Sequence, residues 1–408
     1  MAATIAVLLN DAPLGADAIG ALGSVTVELN TDEPSTAALT FALNKDATGA
    51  WSLIDDGTFV PYAKLAVQVG FGSGAGSLGS ALGGLFGGGS GADGLTPVFA
   101  GYVVDVGTTI GGEAASATLS VTASDPCVLL AGEEKVAAWP DQADSDIVAA
   151  ILGGYGLAVD ARATATVHAA ATTTVVQRGS DLAFVRRLAR RNGYEFYIAP
   201  DDAGTPTASF KPPQLDGTPQ KTLAIQFGDD SNLRAFEAKL TGRKPLAVKT
   251  AQLDVASGTV NGATVTAADY PPLGASDAGA LVGGPLGALV TASENLAEMR
   301  VLGAPSADPG ELQALAQAVR DEASWIVSAS GEVNAEAYGS VLRPHATVLV
   351  KGAGKAYSGT YYVVRVVHEL AGDGSWTQRF EALRNARDAT GDEAFAGPAG
   401  GLALPGLP

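Results

Sequence analysis

The chain has 408 residues, 47% of them hydrophobic, with a single cysteine (Cys127) and a formal net charge of −18. That length exceeds what one hydrophobic core serves, so two or three domains are expected, and the acidic balance speaks against a nucleic-acid binder, which needs basic surface. One cysteine allows no intrachain disulfide and fits folding in a reducing cytoplasm, nothing at the start of the chain reads as a secretory signal, and no run approaches the ~20 apolar residues of a membrane helix.

Residues 1–130 read as β. Segments 24–29, 37–43, 64–71, 98–106 and 117–122 alternate apolar with polar or small residues, and Gly, Asp and Pro separate them, as in a barrel or sandwich of short strands. Between 72 and 94 the pattern is interrupted by a stretch in which 11 of 23 residues are glycine. Such a chain loses too much entropy to order alone and reads as a flexible hairpin insertion. Its Leu78, Leu82, Leu85 and Phe86 are apolar for a pure spacer, so a contact arm that orders against a neighbouring subunit is the alternative.

Residues 131–225 change character to a small α/β domain. A short helix is expected at 144–153, with acidic residues in its first turn and glycines stopping it. A second follows at 180–192, with Ser180 as cap, Leu182, Val185, Leu188 and Ala189 on one face, and Gly193 as a left-handed stop. Arg186, Arg187, Arg190 and Arg191 on this helix form the one basic cluster, read as a solvated face or subunit contact rather than an anion site. Strands are expected at 194–198 and 208–211.

Residues 226–387 return to β. Strands are predicted near 224–227, 233–240 and 247–255, then a loosely patterned connection over 256–295. One helix, 309–329, has Asp308 as cap, Pro309 in its first turn, and a stripe of Leu312, Leu315, Val319, Ala323, Ile326 and Val327. A strand over 332–338 and the hairpin near 344–367 complete the region. The tail 388–408 lacks a period and is expected to be flexible.

One pattern occurs twice, about 280 residues apart. Pro61-Tyr-Ala-Lys-Leu-Ala-Val-Gln-Val-Gly70 resumes at Phe99-Ala-Gly-Tyr-Val-Val-Asp-Val106; Pro344-His-Ala-Thr-Val-Leu-Val-Lys-Gly352 resumes at Tyr357-Ser-Gly-Thr-Tyr-Tyr-Val-Val-Arg-Val-Val367. Each is a proline-started strand, a turn, and an aromatic–small–Gly entry into a Val-rich strand, which aligns Gly101 with Gly359. Two related β-units in one chain suit a part that presents pseudo-repeated surfaces to a symmetric partner.

Signals for chemistry are poor. His168, His345, His368 and Cys127 show no metal-ligand spacing. Gly89-Ser-Gly-Ala-Asp-Gly94 has the letters of a dinucleotide loop but leads into a strand, and Gly352-Ala-Gly-Lys355 lacks both the first glycine and the Mg²⁺-binding hydroxyl of a phosphate loop. No catalytic residue, cofactor or metal is expected.

The segment Ser180-Asp-Leu-Ala-Phe-Val-Arg-Arg-Leu-Ala-Arg-Arg-Asn-Gly-Tyr-Glu-Phe-Tyr197 resembles the helix–strand signature of the phage late control protein D family, the baseplate hubs of contractile tails and the hub portion of type VI secretion spike proteins. Leu342-Arg-Pro-His-Ala-Thr-Val-Leu-Val-Lys-Gly-Ala-Gly-Lys-Ala-Tyr-Ser-Gly-Thr-Tyr-Tyr-Val-Val-Arg-Val-Val-His368 resembles that family's C-terminal hairpin. The resemblance implies a mainly β fold with an α+β insertion: two tube-like β-barrels, 1–130 and 226–387, plus the small α/β domain. It implies a structural protein of the virion or injection particle, not an enzyme, folded in the bacterial cytoplasm and assembled into a baseplate. It further implies a homotrimer whose six barrels form a pseudo-sixfold ring between a hexameric tail tube protein and a trimeric spike, alongside other baseplate proteins, with neither nucleic-acid recognition nor membrane insertion. The short stretch after 387 leads us to expect a separate spike protein, with the tail as a strap towards it. A tail-associated peptidoglycan-degrading enzyme and a carbohydrate-binding β-protein are the competing readings.

Overall fold

The computed structural model describes residues 3–71, 95–112, 117–171, 174–242, 244–254, 257–282, 298–302, 309–391 and 393. A 13-stranded sheet runs through it, built from two six-stranded units. The first unit comprises β1 (Ala3–Leu9), β2 (Leu22–Asn30), β3 (Thr36–Ala42), β4 (Lys64–Phe71), β5 (Leu95–Ile110) and β6 (Ala117–Ser124). The second comprises β7 (Gln220–Ala224), β8 (Leu233–Leu240), β9 (Val327–Asn334), β10 (Ala346–Lys351), β11 (Gly359–Ala371) and β12 (Trp376–Arg384). Spatial order is β2-β3-β6-β5-β4-β1 in one and β8-β9-β12-β11-β10-β7 in the other, the same permutation; a two-residue strand, Ala12–Pro13, pairs with β1. Alternation along β3, β6, β9 and β12 turns every second residue inward, so each unit has its own apolar core, one around Val27, Phe41, Val67 and Val121 and one around Val348, Tyr361, Val366 and Phe380.

The two units also share their irregularities. A bulge falls between Val103 and Asp105 against β6, and another between Val363 and Arg365 against β12. A second bulge falls between Leu22 and Ser24 against β3, matched by one between Leu233 and Ala235 against β9. Tyr62 and His345 both adopt positive φ, 64° and 63°, and their N–H groups donate to Val103 O and Val363 O at 2.7 and 3.0 Å. Non-glycine residues seldom adopt that conformation, so its recurrence at corresponding sites carries more weight than shared Val content. These registers place Tyr102 on Tyr362 and therefore Gly101 on Tyr361, with Gly359 on Phe99. The expected superposition of Gly101 on Gly359 is thus displaced by two residues within corresponding strands. One strand breaks the duplication: β1 runs antiparallel to β4, whereas β7 runs parallel to β10.

Two insertions decorate this sheet. Between β6 and β7 stands an α/β layer, in which helices Asp144–Gly154 and Asp181–Asn192 share a core with strands Glu195–Pro200 and Pro206–Lys211, through Leu152, Phe184, Leu188 and Phe210. Between β8 and β9, strands Ala247–Asp254, Thr259–Val265 and Glu298–Leu302 form a second small sheet under helix Pro309–Ser324; the first was expected near 247–255, whereas Thr259–Val265 falls in the expected loose connection over 256–295. That helix is five residues shorter than the anticipated 309–329. Ile326 N–H donates to Arg384 O and Ile326 O accepts from Thr241 N–H, so the ladder of the large sheet claims the chain here and Val327 already belongs to β9. The segment 332–338, expected as strand, is the end of β9 followed by a helical turn, Ala335–Tyr338. The start of the tail is pinned rather than flexible: Ala386–Arg387 pairs with Ser276–Asp277, and Asp388 and Ala389 N–H groups donate to Ala356 O and Lys355 O. The glycine-rich insert and nearly all of the tail lie outside the described residues.

Candidate assembly interface

The two units meet edge to edge. Residues 365–371 of β11, which pair with β12 on one side, pair antiparallel with residues 24–30 of β2 on the other, over seven residue pairs from Arg365↔Asn30 to Ala371↔Ser24. Apolar pairs Val366↔Leu29 and Leu370↔Val25 occupy one face, while Arg365, Glu28 and Glu369 occupy the other. Arg365 donates to Glu28 at 2.9 Å and to Glu381 at 2.6 Å, and the Arg365 contact holds the Glu28 carboxyl below the usual carboxylate range. Beneath, Phe71 of the first unit stacks on Trp376 of the second with ring centroids 4.9 Å apart. His368 is fully buried in this joint, neither ring nitrogen has a hydrogen-bond partner among the described residues, and burial pushes its pKa down to about 3.

The helix bearing the predicted arginine cluster is capped as its sequence suggests. Ser180 Oγ accepts from Ala183 N–H at 3.3 Å, and Gly193 closes the helix in the left-handed conformation. The four arginines fan out around the helix, because consecutive residues on it are turned by about 100°. Arg191 turns inward: it donates to the buried Asp144 carboxylate through Nε at 2.6 Å and through a second guanidinium nitrogen, to Glu311 at 2.9 Å, and lies 3.0 Å from His168 Nε2. Asn192 and His168 complete the ring of donors around Asp144. Arg187 is exposed, donating to Val176 O at 2.9 Å with its guanidinium over the Phe184 ring. Arg186 is half-buried, its Nε without a hydrogen-bond partner among the described residues, and exposed Arg190 lines a cleft. Leu78, Leu82, Leu85 and Phe86 lie outside the described residues.

That cleft, about 610 Å³, separates the α/β layer from the sheet and is lined by Tyr194, Glu195, Tyr270, Glu322, Trp325 and Tyr362 among others. Its aromatic rings touch, Tyr270 tilted against Trp325 at 5.3 Å and Trp325 stacked on Tyr362 at 6.0 Å, yet Trp325 and Tyr362 are only 6% and 1% exposed, so they serve as core rather than as an open sugar platform. Glu195 fastens the layers together, accepting from Tyr362 Oη at 2.6 Å and lying 3.2 Å from His345 Nδ1, whose ring stacks on Tyr197. Asp125 fastens the first unit, accepting from Ser35 N–H at 2.7 Å and Cys127 N–H at 2.9 Å; burial pushes its pKa up to about 6. Burial likewise pushes the Cys127 thiol up, away from the thiolate a nucleophile needs. The polar groups the chain buries therefore join elements. Asp125, Asp144 and Glu195 were invisible as joints in the sequence, since most of their partners lie 24 to 167 residues away. Among the described residues no group of three or more His, Cys, Asp and Glu is placed to hold a metal ion, and no helix is long and apolar enough to cross a membrane.

The architecture is that of solved tail proteins. The 43 kDa tail protein of prophage MuSo2 from Shewanella oneidensis superposes with a TM-score of 0.62 at 12% identity, covering 95% of this chain and all of that one. A tail protein from Neisseria meningitidis MC58 gives 0.63 at 9% identity, covering 94% and 97%. The E. coli c3393 protein, described as a component of the type VI secretion system, gives 0.50 at 14%, covering 89% of this chain and 73% of that one. At these identities the likeness is one of fold. No curated protein matches the chain in sequence. A family model described as the Alg8 N-terminal domain matches residues 90–372, the greater part of the chain, and the chain belongs to that family.

Proposed function

We propose that this protein is a structural baseplate hub of a contractile phage tail or injection system, of the late control protein D type. Three copies form a ring in which six similar units surround a channel, matching a hexameric tail tube on one side and a trimeric spike on the other, with other baseplate proteins around it. The observation that carries this reading is the duplication: two units of one strand order and shared bulges, joined edge to edge within one chain. Tail proteins of the same fold support it. In this reading the chain divides into a first barrel (1–130), the α/β domain (131–225) and a second barrel (226–387). Of the four arginines, Arg187 and Arg190 are the subunit contacts and Arg186 and Arg191 brace them from within; Leu78, Leu82, Leu85 and Phe86 are further candidates for contact with a neighbouring subunit.

Function then resides in interfaces, with no turnover and no cofactor. Light scattering on the purified full-length chain tests this. A mass three times the 40.8 kDa of one chain supports the hub. A single-chain mass together with release of muropeptides from peptidoglycan would instead establish the enzyme.

A further inference from the structure

We infer that copies of this chain join through β5 of one and β8 of the next, in a pairing that repeats the internal β11·β2 joint residue for residue. This rests on the ring-forming role proposed above and names the surfaces that close the ring. Strand β5 corresponds to β11, and β8 corresponds to β2. Inside the chain the β11 edge is covered by β2, but among the described residues its counterpart is open: residues 105–110 of β5 pair on one side only, with β6, and all are exposed. Among the described residues, strand β8 likewise pairs only with β9 and is the outermost strand of the sheet. An open edge of unpaired N–H and C=O groups is a template for another strand, and the two open edges here are those the internal joint would predict. Because the two surfaces differ, copies add head to tail, and such an interface forms rings when the rotation closes.

The shared bulges fix the register. Val103 sits on Val363 and Leu22 on Leu233, so Asp105 occupies the place of Arg365, and Lys239 that of Glu28. Transferring the internal pairs Val366↔Leu29 and Leu370↔Val25 sets Val106 against Leu240 and Ile110 against Phe236. Val106, Ile110 and Leu240 are 38%, 54% and 36% exposed in the single chain, so each gains apolar cover from the pairing. The other face tests the assignment independently. The internal joint has the ion pair Arg365–Glu28; the corresponding residues Asp105 and Lys239 carry the opposite charges on opposite strands. Complementarity is preserved with its sign inverted, and neither side chain has an ion-pair partner within its own chain among the described residues. A slip of one residue would put Val106 against Lys239 or Thr241 and destroy both matches at once.

Mixing chains carrying Val106→Cys with chains carrying Leu240→Cys, under mild oxidation, tests the pairing; native Cys127 is buried and gives little background. The expected product is a two-chain disulfide formed only in the mixture, and a covalently closed three-chain species from the doubly substituted chain. Asp105→Lys should weaken assembly about five-fold or more through like-charge contact with Lys239, and Lys239→Asp on top of it should restore assembly. A three-chain mass without the 106–240 disulfide, or without charge-swap rescue, would overturn this joint and leave the ring standing. A 106–240 disulfide that closes at another number of chains would keep the joint and overturn the three-chain ring. A single-chain mass with no disulfide overturns both.

Discussion

His368 sits where a charge has no partner, and acid should find it. Its ordinary pKa of 6.5 falls to about 3 in the fold, so the folded chain keeps it neutral while the unfolded chain takes up a proton. A depressed value in the fold means that its contribution to stability is present above pH 6.5 and is lost as pH falls towards 3, about 3 kcal/mol between pH 7 and 4. Asp125 works the other way: its value is raised from 3.8 to about 6, so its contribution is fully present below pH 3.8 and is lost as pH rises through 6. Urea unfolding at pH 7 and pH 4 separates them. His368→Phe should remove most of the histidine's acid loss, and Asp125→Asn should remove the opposing gain; an unchanged pH dependence in both variants would refute these assignments. Gly101 makes a steric prediction. A Cβ there would lie 2.1 Å from Ser124 O on β6, so Gly101→Ala should cost about 1–3 kcal/mol through strand displacement. The repeat made this glycine conspicuous in the sequence, but its alignment with Gly359 was misleading, because Gly359 is needed for a different reason: it packs against the Arg384 guanidinium.

At the scale of elements, what the sequence displayed was local. Helix Asp181–Asn192 was legible from cap to stop because Ser180, its apolar stripe and Gly193 lie within one window. The end of helix Pro309–Ser324 was not, since Ile326 and Val327 continue a helical stripe while sheet hydrogen bonds from Thr241 and to Arg384 overrule it. Strand Thr259–Val265 was missed because its Gly, Ala and Thr lack an apolar alternation, and it is held by pairing with Ala247–Asp254. The role of Arg191 was equally hidden, its partners being 23 to 120 residues away. Arg191→Met leaves Asp144 buried with its main counter-charge gone and should destabilise the chain by about 3–5 kcal/mol, with much of the loss recovered in the Asp144→Ala/Arg191→Met double variant. A double-variant loss equal to the sum of the two single-variant losses would show that the pair is not coupled. The hairpin around the glycine-rich insert is paired up to its ends, Gly70 against Leu95. Replacing 72–94 by a four-residue turn should therefore leave Tm within a few degrees, as loop closure entropy varies slowly with length; a large drop would mean that the insert packs as structure.

For the molecule as a whole, the Val-rich hairpins announced a duplication, but only long-range register showed its extent: six strands in one order, two shared bulges, and a positive-φ residue at corresponding sites. No sequence window contains the internal joint, where residues 24–30 meet residues 365–371. In the proposed ring that joint covers one pair of edges and leaves the corresponding pair for a neighbouring copy. End-on averages of the purified full-length protein by electron cryomicroscopy test this most directly. The expected image is a closed ring of three chains whose inner wall shows six near-equivalent units, with β5 of each chain beside β8 of the next. An isolated chain, or a closed assembly in which the two units of each chain take unrelated positions, would contradict it.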